Sequence, residues 1–276
     1  MKFIIAAPAY TNKSGGIIAL HQLAHQIALR GFRSFIYSPS TFATNLATHV
    51  LYKYPEILSD AVDSNAMVIY PEVVIGNPLK AKNVTRWLLH YPGVMGGDGV
   101  YGPNDLVFKY AANEMPGLKL NVHGTLTANN MMLDKFYDKK KKRSGLGHII
   151  RKGAQRNQIY HLPWSKCLDP ILEAEPEARN CLFNKLRLVL SYDHLTFHST
   201  HAALAGCISV IHLPKSNNAQ QIARNAPYLK YGVAFGYSDI PRALKTISQM
   251  RASLETIRLR DNRSVDEYLE FVHQKY

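Results

Sequence analysis

The sequence predicts an α/β protein whose two domains face each other across a cleft, and three observations lead there. Apolar runs of strand length recur along the 276 residues. Amphipathic stretches separate them, the alternation that a parallel sheet with crossover helices needs. The alternation occurs twice, over about 2–108 and about 147–236, around a weakly patterned middle. Hydrophobic residues make up 46% of the chain and aromatic residues 10%, enough for a sizeable core. The expected division is 1–115, 116–258 and a C-terminal helix over 259–276 that packs back on the first domain. One doubly wound sheet is the alternative arrangement.

The first half opens with an apolar strand at 2–7, broken by Pro8. Gly15 and Gly16 precede Ile18, Leu20, Leu23, Ile27 and Ala28 at helical spacing, and Gly31 stops that helix. Phe35-Ile36-Tyr37 completes a β-α-β unit with a right-handed crossover. The glycine pair lets a ligand approach the backbone at the first strand-to-helix turn. Further strands fall at 66–70 and 85–89, with Glu72 and His90 just past their carboxyl ends, and a short helix is expected at 77–81. Residues 91–103 hold five glycines and two prolines and read as a loop over a site. A strand at 106–108 closes this half.

In the second half, 147–150 reads as a strand that delivers Arg151 and Lys152 into a turn at Gly153. A helix over 169–185, a strand at 186–190, a helix over 195–206 and a strand at 208–213 come next. Another strand at 232–236, a helix from 240 to about 257 capped by Ser238 or Asp239, and a last helix from Ser264 or Val265 complete the pattern. Ser191-Tyr192-Asp193-His194-Leu195-Thr196 lies where a strand ends and a helix begins. In an open α/β sheet that is the carboxyl edge, where helix N–H groups meet a phosphate. Ligand binding is therefore expected around Asp193 to His201.

With these residues in place the chain resembles a short glycosyltransferase of the GT-B type, in which two Rossmann-like domains face across a cleft. The likeness rests on Gly15-Gly16 with His21-Gln22-Leu23-Ala24 and Leu29-Arg30-Gly31-Phe32, on Arg86 through Gly93, and on the 191–207 segment. Many retaining members carry a Glu-x7-Glu motif, whose first acid lies near the donor sugar and whose second holds the ribose. Here Asp193 and His201 stand at that spacing, so both acids are replaced.

The resemblance implies transfer of a sugar from a nucleoside diphosphate sugar to a cell-surface glycan or lipid-linked acceptor, a hexosyltransferase-type reaction without metal or other cofactor. Arg151 and Lys152 would meet the charge on the leaving diphosphate, aided by Thr196, Ser199 and a helix N-terminus. His201 would touch the ribose and Asp193 a sugar hydroxyl. In an inverting enzyme His90 or Glu72 would take the acceptor's proton; in a retaining one His90 would contact the donor sugar. Each has a plainer reading beside it. Arg151-Lys152 can be a solvated turn, Asp193, Thr196 and Ser199 can be helix caps, and His201 a packed histidine.

A formal net charge of +13 favours anionic partners. The run Lys139-Lys140-Lys141-Lys142-Arg143 reads as a solvated loop, with attraction to an anionic membrane as the second reading. No aromatic-interleaved basic motif supports nucleic acid, although a basic nucleic-acid-binding protein and a non-catalytic nucleotide- or glycan-binding protein are the rival functions. The three cysteines form no Cys-x-x-Cys pair, so neither a disulfide scaffold nor a cysteine zinc site is indicated. His194, His198 and His201 share a helix face but lack a fourth ligand at a recognisable spacing. No signal peptide or membrane span is read, so the expected location is the cytoplasm, at most at the inner face of the membrane.

Overall fold

The computed structural model describes residues 1–12, 14–38, 56–57, 62, 64–110, 115, 117–129, 131–213 and 218–276. They form two compact units, 1–130 with 259–276 and 131–258. Each is an α/β unit on its own sheet, and every strand pairing in both sheets is parallel.

The first unit runs β1 (Lys2–Ala6), α1 (Gly15–Leu29), β2 (Arg33–Tyr37), β3 (Glu56–Ile57), β4 (Ala66–Pro71), β5 (Asn83–Leu88), β6 (Leu106–Lys109) and β7 (Gly124–Thr125). Sheet order is β3-β2-β1-β4-β5-β6-β7. Strand β1 shows why its apolar run is continuous: Phe3 and Ile5 enter one core, Ile4 and Ala6 the core on the opposite face. A parallel sheet covered on both sides needs apolar residues at successive positions. Helix α1 starts at Ser14, whose hydroxyl accepts from Ile17 N, and buries Leu20, Leu23, Ala24 and Ile27. It ends where Gly31, at φ 84°, donates to Ala28 O while Phe32 N reaches Ile27 O, a Schellman stop.

The second unit runs β8 (Gly145–Ile149), β9 (Lys166–Cys167), α2 (Pro176–Phe183), β10 (Leu186–Ser191), α3 (Phe197–Leu204), β11 (Ile208–Ile211), α4 (Ala219–Asn225) and β12 (Val233–Phe235). Its sheet order is β12-β11-β10-β8-β9. One face packs Ile149, Val189, Ile211 and Val233 against Phe183, Ala202 and Ala203. The opposite face carries a smaller cluster around Leu190, Tyr192, Val210 and Ala234.

The chain ends in one continuous 36-residue helix, α5 (Ile240–Lys275), where the sequence predicts two. Met250, Leu254 and Ile257 belong to the second core, and Val265, Tyr268, Leu269 and Val272 to the first. The apolar seam pauses between them, and Asp261, buried there, accepts from Asn129 Nδ2 at 2.9 Å. Three further expectations are corrected. Residues 77–81 form a turn, because Asn77 Oδ1 accepts from Ala81 N and its amide donates to Ala81 O. The helix over 169–185 is a 3-10 turn at Asp169–Ile171 and then α2, which begins at Pro176, a residue that cannot donate inside a helix. Residues 117–129 go with the first unit, since β7 pairs with β6 and Leu126 and Ala128 lie in its core. The expected 115/116 boundary itself touches residues outside the described set.

Trp87 has no exposed surface and donates its indole N–H to Leu126 O at 2.8 Å. Trp87→Ala is expected to lower unfolding stability by about 3–5 kcal/mol, read as a shift in the urea midpoint by circular dichroism.

Candidate functional site

In the second sheet β8 lies between β9 and β10: the chain runs from β8 to β9 on one side and then crosses to β10 on the other, the switch in strand order at whose carboxyl ends open α/β sheets bind ligands. The turn that leaves β8 there is tightly specified. The Asp169 carboxylate accepts from Ile150 N at 3.0 Å and from Arg151 N at 2.8 Å. Arg151 is held at φ 38°, a left-handed conformation that a non-glycine residue rarely adopts. A 3-10 turn over Arg151–Gly153 comes next. A Cβ at Gly153 would lie 2.5 Å from Tyr192 Cβ and 2.6 Å from Tyr192 O, so only glycine lets this turn rest on the turn after β10.

That contact gathers cations around the start of α3. Arg151 Nε lies 3.8 Å from Asp193 Oδ2, and its guanidinium is 3.2 Å from His198 Nε2. Arg156 donates to Tyr192 O at 2.5 Å and meets His194 Nδ1. Arg179, buried on α2, sits 3.5 Å from His198 Nδ1 with its guanidinium over the Phe136 ring. A neutral imidazole offers one acceptor nitrogen, so His198 cannot accept from both guanidinium groups that face it. Burial, then His201 and the two arginines, push its pKa well below the ordinary histidine value. Burial and Arg156 likewise lower His194, against Asp193, which raises it. The histidines are therefore neutral, and the cations beside Asp193 make a corner suited to an anion.

The predicted residues divide between this corner and the interior. Arg151 and Asp193 are part of it, and Lys152 is exposed in the same turn. Asp193 also accepts from Leu195 N, and Thr196 caps α3 by accepting from His198 N at 3.3 Å. Ser199 is buried with its hydroxyl unpaired. His201 faces the core: its ring stacks on Phe136 at 3.9 Å, Nε2 lies 3.2 Å from Met131 O, and burial pushes its pKa down to about 3. Asp169, Arg156 and Arg179 were missed by the sequence reading. A cation close after the Arg151-Lys152-Gly153 turn was the only signal for Arg156.

In the first unit the order β2-β1-β4 puts the corresponding crevice at the ends of β1 and β4. Gly15 and Gly16 open α1 there; a Cβ at Gly15 would meet nothing, and one at Gly16 would lie 3.6 Å from Leu89. Glu72 is buried past β4 and accepts from Leu89 N at 2.9 Å. Burial raises its pKa, against backbone N–H groups and His90, which lower it. His90 is exposed, with Nδ1 accepting from Tyr91 N. The glycine pair, Glu72 and His90 thus lie around one sheet edge.

The basic run is only partly a solvated loop. Lys140, Lys141 and Lys142 are exposed, whereas Arg143 donates to Phe183 O at 2.9 Å, to Ala205 O at 2.5 Å and to Asp138 at 2.6 Å, tying three segments together. Among the described residues no group of three or more His, Cys, Asp or Glu is arranged to hold a metal ion, and no helix is long and apolar enough to cross a membrane. Comparison with known protein families and with curated proteins gives no match to this chain.

Removing the Asp169 carboxylate leaves two backbone donors unsatisfied. Asp169→Ala should cost about 1–3 kcal/mol per donor left buried, measured by denaturant unfolding. A histidine held neutral by burial binds fewer protons folded than unfolded, so its contribution is complete above the unfolded pKa near 6.5 and fades as pH falls towards the folded value. Unfolding free energy should drop by about 1.4 kcal/mol per pH unit below that point for each such group, and His201→Phe should flatten the slope by about one proton.

Proposed function

We propose that this protein is a glycosyltransferase that moves a sugar from a nucleoside diphosphate sugar to a cell-surface glycan or lipid-linked acceptor in the cytoplasm. The observation that carries the reading is the corner at the ends of β8 and β10, where Arg151 and Arg156 stand beside the N-terminus of α3. A pyrophosphate placed there meets guanidinium groups and helix N–H groups together. Lys152, from the same turn, adds an ammonium.

In the reaction the acceptor hydroxyl oxygen bonds to the anomeric carbon. The carbon–oxygen bond to the diphosphate breaks, and its electron pair stays on the phosphate oxygen, where Arg151, Lys152 and Arg156 offset the charge that develops. In an inverting course the hydroxyl proton passes to a base, for which Glu72 and His90 are the candidates; the raised pKa of Glu72 suits that role. Asp193 orients a sugar hydroxyl. His201, turned into the core, takes no part in ribose binding, and the ribose is left without the carboxylate that related motifs supply. That same observation favours a second reading, a nucleotide- or glycan-binding protein without transfer activity.

Isothermal titration with UDP-, GDP- and dTDP-sugars tests the first step. One donor should bind, and Arg151→Ala with Arg156→Ala should weaken it at least about tenfold, while fold, checked by circular dichroism, is kept. Silence towards all three donors by the folded protein refutes the proposal. Binding without transfer or donor hydrolysis supports the second reading.

A further inference from the structure

The loop between the 3-10 turn and β9 carries Ile159, Tyr160, Leu162 and Trp164, all exposed, with Ile159 at 77% and Trp164 at 74%. It is not loosely attached. Tyr160 stacks on His212 at 3.9 Å, its N–H donates to Tyr192 Oη at 3.1 Å, and its carbonyl accepts from Tyr237 Oη at 2.7 Å. His161 stacks on His148 at 3.8 Å and lies 2.8 Å from Tyr192 Oη. Ser165 N closes the loop on Leu162 O. The inner side chains are thus fixed to the sheet, and Ile159 and Trp164 are held out in water. Behind them is a pocket of about 310 Å³, floored by Leu146, Leu188 and Leu190 and walled by Tyr160, Leu162 and Tyr237.

A fixed apolar projection of this kind marks a surface that something covers. The charges around it say what. From 150 to 168 the chain has four Lys and Arg residues and no Asp or Glu. Lys152 and Lys166, on the two sides of the loop, are exposed. Tryptophan with aliphatic neighbours, flanked by cations, is the composition that settles at the boundary between headgroups and acyl chains of an anionic bilayer.

We infer that the 159–164 loop docks the protein on an anionic bilayer, with Ile159, Leu162 and Trp164 entering the headgroup boundary and the flanking lysines facing lipid phosphates. This moves the membrane contact from the 139–143 run, whose Arg143 is an internal tie, to a loop the sequence did not single out. It stands on exposure and charge alone and does not depend on the glycosyltransferase reading.

The test uses the full chain and phosphatidylcholine vesicles with or without phosphatidylglycerol. Of the two tryptophans Trp87 is wholly buried, so a change in emission on binding reports Trp164. The protein is expected to sediment with the anionic vesicles at least about tenfold better than with the neutral ones, less so in high salt, with a blue-shifted emission that brominated lipid quenches. Trp164→Phe should keep the binding and lose the shift. Ile159→Ser with Trp164→Ser should weaken binding at least about tenfold at an unchanged unfolding midpoint. Absence of vesicle binding overturns the inference, as does binding without quenching by brominated lipid. So does a concentration-dependent dimer, formed without lipid and abolished by the double substitution, because the covering partner is then a second copy of the chain.

Discussion

The carboxylate of Asp169 accepts from two successive backbone N–H groups, and the candidate site in the second unit depends on that pair of bonds. They anchor Arg151 at a positive φ, a conformation that costs about 1–3 kcal/mol. Gly153 completes the constraint by allowing backbone contact with Tyr192. The turns after β8 and β10 therefore touch, and a cation from one reaches a carboxylate and an imidazole from the other. Steric fit and two hydrogen bonds, rather than attraction between charges, place the charged groups.

The surrounding polar groups are kept in one ionisation state by burial. His198 and His201 are held neutral inside the unit, so the positive charge of the corner comes from guanidinium groups. Arg179 reaches His198 from α2, and the Phe136 ring touches both the Arg179 guanidinium and the His201 imidazole. A change at Phe136 would consequently be felt at His201 and Arg179 together.

The first strands were legible because buried parallel strands are continuous apolar runs, and β1 and β4 fall where such runs do. So was the turn at Arg151-Lys152-Gly153. The orientation of His201 was not, since the ring partner Phe136 lies in the weakly patterned middle and a histidine on a short helix can face either way. Asp169 looked like part of a helix, and its actual role as a backbone acceptor is a contact over 18 residues that no local pattern encodes. Helix α5 read as two helices because its seam stops at Ile257 and resumes at Val265: the two segments serve different cores, and the polar interval between them resembles a break.

That shared helix has a consequence for how the gene can be divided. The closing layer of the first unit, Val265, Tyr268, Leu269 and Val272, is translated after the whole of the other unit. An excised fragment ending near residue 130 would leave a greasy trough along its sheet until a peptide covering 259–276 was supplied in trans. Swapping the halves between related genes would accordingly require three crossover pieces instead of two, or a circular permutant that restores the tail beside its own sheet.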